Sequence, residues 1–157
     1  MIRKTTVGAV WACLLTAGCS LETLRPIETV QDGQELPILR DQAGTFSTFQ
    51  RPARLVVRDS STAAQLPLNL GPVDFEWQMV LVAAMGPTPT DQYGITIRRA
   101  WRDGNQVRVQ VEMRYPPPGA PLRSSPASPY HAVVVQKCDL NVRGFDAVIR
   151  PESVSRD

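Results

Sequence analysis

One histidine, His131, serves a chain of 157 residues, and that scarcity narrows the available chemistry. A serine or cysteine triad would have to recruit His131 as its base, with Ser124, Ser125 or Cys138 as nucleophile. Ser124 and Ser125 lie in a proline-rich stretch with no Gly-x-Ser-x-Gly elbow, so His131 reads better as a strand-start residue bonded to backbone. A zinc site asks for three or four ligands from cysteine, histidine and carboxylate, and the chain has one histidine and one usable cysteine. No glycine loop that would cradle a phosphate and no dinucleotide fingerprint is present. The expectation is a chain that is not an enzyme, with no catalytic residue, no metal ligand and no cofactor. Asp74 and Glu76 stand two apart in what reads as a strand, so both would share one face. They could serve as an acid/base pair or calcium ligands, but a solvated strand face is the better reading.

Long apolar runs are also missing, with one informative exception. Arg3 and Lys4 precede an uncharged, mostly apolar stretch from Thr5 to Ala17. Its length suits the core of an export signal and falls short of the roughly 20 residues that span a bilayer. It ends in Leu15-Thr16-Ala17-Gly18-Cys19, an aliphatic residue, small residues and then cysteine, which is the pattern of a bacterial lipobox. Residues 1–18 are therefore expected to be a lipoprotein signal cleaved between Gly18 and Cys19, and Cys19 to carry the lipid. Lipid chains contribute about 0.8 kcal/mol per buried methylene, and more than one chain holds firmly. Ser20 in place of the aspartate often found in inner-membrane lipoproteins favours the outer membrane, facing the periplasm.

This processing alters both the charge and the cysteine account. The chain carries 17 basic and 15 acidic residues, and Arg3 and Lys4 leave with the signal, so the mature chain is balanced at 15 of each. No nucleic-acid partner is implied. Of three cysteines, Cys13 is lost and Cys19 acylated, so no intrachain disulfide is expected. Cys138 reads as a buried small hydrophobe, with an intermolecular disulfide or a reactive thiol as the alternatives.

The remaining 139 residues suffice for one domain. Residues 19–42 are expected to be a tether, residues 43–150 a β-rich domain and residues 151–157 a polar tail. An edge strand is expected near Phe46 to Phe49. Arg54 to Arg58 reads as a short strand, and Asp59-Ser60-Ser61 as the cap of a helix over Thr62 to Leu66, stopped by Pro67. Asn69 to Pro72 is a turn. Val73 to Met85 begins with alternation, Phe75 and Trp77 on one face, and becomes continuously apolar, as a strand covered on both faces does. The next two segments form a hairpin. Placing Ile95, Ile97 and Trp101 on the same side as Val107, Val109 and Val111 asks for a three-residue loop of Arg102, Asp103 and Gly104, pairing Ile97 with Val109. Residues 116–129 hold six prolines and cannot be a central strand. Tyr130 to Gln136 and Val142 to Ile149 complete the strands. The expected class is α+β, β-dominated, with one short helix.

The proline-rich loop is the most plausible binding element, because an extended, pre-ordered segment loses little entropy on docking. Its candidate contact residues are Pro116, Pro117, Pro118, Pro121, Leu122 and Arg123.

The ordered series Pro72-Val73-Asp74-Phe75, an apolar strand closing at Gly86, Tyr93-Gly94-Ile95-x-Ile97, Val107-x-Val109-x-Val111, Pro116 and Pro129-Tyr130-His131 resembles the PrcB C-terminal domain family. The resemblance covers residues 54–149. It takes its name from a lipoprotein subunit that associates with and stabilises a surface protease, so it implies a non-catalytic, β-rich partner protein. The chain departs from the family pattern at Gln92-Tyr93-Gly94, where Gly-Gly-Tyr is usual, and in the abundance of proline before Pro129. Both departures lie in loops, where partner choice would reside. The expectation is an envelope lipoprotein, held to the membrane through Cys19, that binds and stabilises another exported protein, a protease being one candidate. The alternative is a small-ligand-binding or inhibitor-like module, with the loops at 86–93 and 116–129 framing a pocket.

Overall fold

The computed structural model describes residues 31–119, 121 and 125–147. The residues expected to form the export signal, the lipid attachment at Cys19, the first part of the expected tether, Leu122, Arg123, Ser124 and the expected polar tail lie outside that range. Among the described residues no helix is long and apolar enough to cross a membrane.

The elements in chain order are β1 (Glu35–Leu36), β2 (Ile38–Gly44), β3 (Ala53–Val57), α1 (Ser60–Ala64), β4 (Gln78–Ala84), β5 (Gly94–Asp103), β6 (Gln106–Arg114), β7 (Tyr130–Gln136), β8 (Asn141–Val142) and β9 (Asp146–Ala147). They form a four-stranded sheet in the order β1-β5-β6-β8 and a five-stranded sheet in the order β2-β7-β4-β3-β9. Neighbours are antiparallel except β3 with β9 and β6 with β8. The described residues are β-dominated with one short helix, as the pattern of short apolar runs implies.

The apolar runs explain the layering. Met79, Leu81, Ala83, Val133 and Val135 meet Ile95, Ile97, Ala100 and Val107 of the other sheet in one buried cluster. Val80, Val82, Ala132 and Val134 point the opposite way, onto Val57 and Leu70 with Ala63, Leu66 and Phe75 around them. β4 and β7 are therefore covered on both faces and have no use for polar alternation. Asp59 caps α1, its carboxylate accepting the Thr62 amide at 2.7 Å. The helix starts at Ser60 and ends at Ala64, two residues earlier than the pattern predicts.

Several expectations are corrected. The ordered fold begins before residue 43: β1 pairs with β5, and β2 runs beside β7 from Ile38 opposite Val135 to Gly44 opposite Tyr130. The expected edge strand at Phe46 to Phe49 is instead this earlier β2, and no strand covers residues 45–49. Residues 73–77 are not strand. Asp74 accepts the Glu76 amide on its side chain at 3.1 Å and the Gln78 amide on its carbonyl at 2.7 Å, a turn that abolishes the shared carboxylate face.

The β5–β6 turn has two central residues, Gly104 and Asn105, because Asp103 pairs with Gln106. Gly104 has φ +59° and Asn105 a negative φ, the pattern of a type II′ turn with glycine first. The two apolar sets still share a side because β5 is bulged between Ile97 and Arg99. The extra residue sets Ile97 opposite Val111, where an unbulged ladder from this turn would set it opposite Glu112, and switches the strand's parity so that Ala100 faces inward; Val109, the expected partner of Ile97, pairs with Ala100 instead. Trp101 consequently leaves the face of Ile97 and carries the Arg99 guanidinium 4.8 Å from its ring centroid. The last strand is likewise divided. Gly144, at φ +75°, turns the chain between β8, which pairs with β6, and β9, which crosses to β3.

Candidate functional site

His131 lies on β7, facing the other sheet, and is 5% exposed. Its Nδ1 accepts the Ile97 amide at 2.9 Å, at the bulge of β5. An accepting Nδ1 carries no proton, so the neutral ring bears its hydrogen on Nε2, which lies 3.4 Å from Asp41 Oδ2. The side chain thus satisfies a backbone amide that the bulge turns away from its ladder, as the backbone-bonded reading expects. Cys138 is buried and its carbonyl accepts Arg58 Nε at 3.1 Å, consistent with the small-hydrophobe reading. No group of three metal-ligating side chains occurs among the described residues.

The proline-rich loop is anchored at its far end and exposed at its near end. Thr88 and Ala127 exchange backbone bonds of 2.7 and 3.0 Å, and the Ser128 amide reaches Thr45 O at 2.8 Å. Ser47 Oγ adds a 2.8 Å contact with Ser128 Oγ. Gln92 Nε2 donates to Pro121 O at 3.3 Å. Pro117, Pro118 and Pro121 are exposed and Pro116 is half-buried. The loops at 86–93 and 116–129 therefore lean on one another through Thr88 and Ala127.

Two open clefts lie beside the β5–β6 end. A groove of about 700 Å³ is lined by Arg51, Arg54 and Met85 from beside β3 and β4, and by Ile95, Met113 and Tyr115 from β5 and the end of β6. Gly144 and Asp146 close one end of it. A second cleft of about 580 Å³ lies between Gly44, Thr45 and Tyr130 on one sheet and Tyr93, Thr96 and Arg98 on the other. Of the described residues in the loops at 86–93 and 116–129, Tyr93 and Pro129 line the second cleft and the others line neither. Tyr115 and Tyr93 meet edge to face, with ring centroids 5.9 Å apart and an interplanar angle of 82°, and so link the margins of the two clefts. Met113 and Tyr115 are 43% and 56% exposed, an unusual outlay of large apolar surface beside an open groove.

Of the predicted contact residues, Pro116, Pro117, Pro118 and Pro121 line neither cleft, and Leu122 and Arg123 lie outside the described residues. Pro116 and Pro117 follow directly on Tyr115 at the margin of the larger groove. The groove itself was not foreseen, because its walls come from four separated stretches of chain. Met113 and Tyr115 could have been suspected from β6 alone, where the apolar face runs on into the proline-rich loop.

The family model described as PrcB C-terminal matches residues 79–136, which span β4 to β7. It is the family that the ordered series resembles, and the match takes in the Tyr93-Gly94-Ile95 and Pro129-Tyr130-His131 pieces while leaving Val73-Asp74-Phe75 outside. No curated protein and no solved structure gave a match.

Proposed function

From strands β4 to β7 as a PrcB C-terminal domain, we propose that the protein is a non-catalytic envelope lipoprotein that binds, and thereby stabilises, another exported protein. The observation that carries this reading is the exposed surface at the end of β6. There Met113, Tyr115, Pro117 and Pro118 stand beside an open groove, on a frame whose central strands are buried on both faces. Rigid aromatic and proline side chains give contact area at little entropic cost. The lipid on Cys19 would hold this surface near the membrane, where a partner anchored in the same membrane meets it at raised effective concentration. A protease is the partner class that the family's naming member suggests.

The reading has two separable tests. Cys19→Ser should move the protein from the membrane fraction to the soluble fraction, and a variant that stays membrane-bound removes the anchor. A photo-reactive residue in place of Pro118 should cross-link one exported protein in intact cells, and an absence of any specific adduct removes the partner. A second reading, a small-ligand module, is favoured by one observation. The groove's volume falls within the roughly 300–1,000 Å³ of ordinary small-molecule sites. A thermal shift with apolar carboxylates and no cellular cross-link would select it.

A further inference from the structure

We propose that the outer edge of β6, from Val109 to Met113, receives an extended segment of the partner protein as an added strand. Alternate apolar side chains of that segment enter the groove, and an acidic group in it meets Arg51 and Arg54. This rests on the protein-binding reading and specifies how that surface works.

The chain itself shows that this edge accepts a strand. β8 pairs with β6 at Gln106 and Val107, and the Arg143 amide donates to Val107 O at 2.8 Å. Backbone groups of a strand alternate between its two edges, so those of Val109, Val111 and Met113 point the same way as those of Val107. β8 ends at Val142 and the chain crosses to β3, so among the described residues no strand pairs with this outer edge of β6 beyond Val107. An edge left in this state is a template for strand addition.

What lies beneath the edge fits such a strand. Side chains of an added strand would point alternately outward and in between the sheets. The inward ones would enter the groove of about 700 Å³ against Met85, Ile95 and Met113. Its lining also carries Arg51 and Arg54, whose side chains make no hydrogen bond or ion pair with any described residue. Two uncommitted guanidiniums facing one carboxylate, Asp146, leave the groove with a positive balance that suits an acidic segment.

The probe is a synthetic acetylated heptapeptide of alternating threonine and valine that ends in glutamate, followed by anisotropy against the full-length protein in detergent. Methylating the backbone nitrogens on one edge of the peptide and then on the other should weaken binding at least about tenfold for one of the two. Met113→Pro, which removes an outward amide without removing a bond to β5, should do the same. Because that variant could misfold, Arg51→Glu with Arg54→Glu gives an independent reading. It should weaken the glutamate peptide about tenfold and strengthen a lysine-ended one. Equal binding by all the methylated and unmethylated peptides, or no binding of the parent peptide up to about 1 mM, overturns strand addition. In-cell cross-linking from position 118 keeps the two levels apart. A partner captured at full yield by a folded Met113→Pro variant also overturns strand addition, while the protein-binding reading stands. A partner lost together with the peptide supports it.

Discussion

Strands β6 and β7 are joined by one loop and live in opposite circumstances. All seven residues of β7 are buried, because β2 and β4 flank it, the second sheet covers one face and the α1 layer covers the other. β6 has β5 along one edge and only the two-residue β8 along the other, one fully buried residue, Val107, and three exposed residues at its end. Both strands are rich in valine, so β propensity does not separate them; neighbours do. The contrast divides labour within the fold. The β4–β7 pair supplies stability, and the open end of β6 is left available for contact.

The contrast is most easily broken by mutating both regions and comparing stabilities. Leu81→Ala in β4 should cost about 2–5 kcal/mol in urea unfolding, since Leu81 is fully buried between the sheets and the void cannot collapse cheaply. Met113→Ala, also apolar but 43% exposed, should cost about 1 kcal/mol or less. Equal losses would show that the end of β6 belongs to the core after all.

Next in size is the link between the sheets. His131→Phe keeps a flat aromatic ring, though a somewhat larger one, and removes the acceptor, leaving the Ile97 amide buried without a bond. The expected cost is about 1–3 kcal/mol, with faster hydrogen exchange at Ile97 than at Val82. Unchanged protection of Ile97 would mean that the bulge amide finds another acceptor. Asp59→Ala, which removes the cap of α1, should cost about 1 kcal/mol by thermal unfolding.

What could be read from the sequence follows the same division. β4 and β7 were legible because a strand buried on both faces announces itself as an unbroken apolar run, and α1 because Asp59 is a local cap. β2 was not, because an edge strand needs only the hydrogen bonds of β7, some 86 to 97 residues away, and its own side chains, Ile38 and Leu39 included, stay largely exposed with no alternating apolar face. Trp101 was misplaced because nothing in Ile97-Arg98-Arg99 marks a bulge; the amide it displaces is met by His131, from a different sheet. The site shares this difficulty. Arg51, Met85, Ile95 and Tyr115 acquire a common groove only once two sheets have stacked, whereas the prolines beside it are visible in the chain as written.

The smallest stability effect is expected where the proposed function is concentrated. Tyr115→Ser removes one ring of the edge-to-face pair with Tyr93, but that ring is 56% exposed. Its removal should therefore move the unfolding midpoint by the equivalent of about 0.5 kcal/mol or less. The same change takes an aromatic anchor from the rim of the groove, so capture of a partner from position 118 should fall sharply while the fold is untouched. A residue that matters to binding and not to stability is what the contrast between β6 and β7 demands. Were Tyr115→Ser instead to destabilise the protein as much as His131→Phe does, the exposed end of β6 would be structural, and the division of labour between the two strands would fail at the position where it should be clearest.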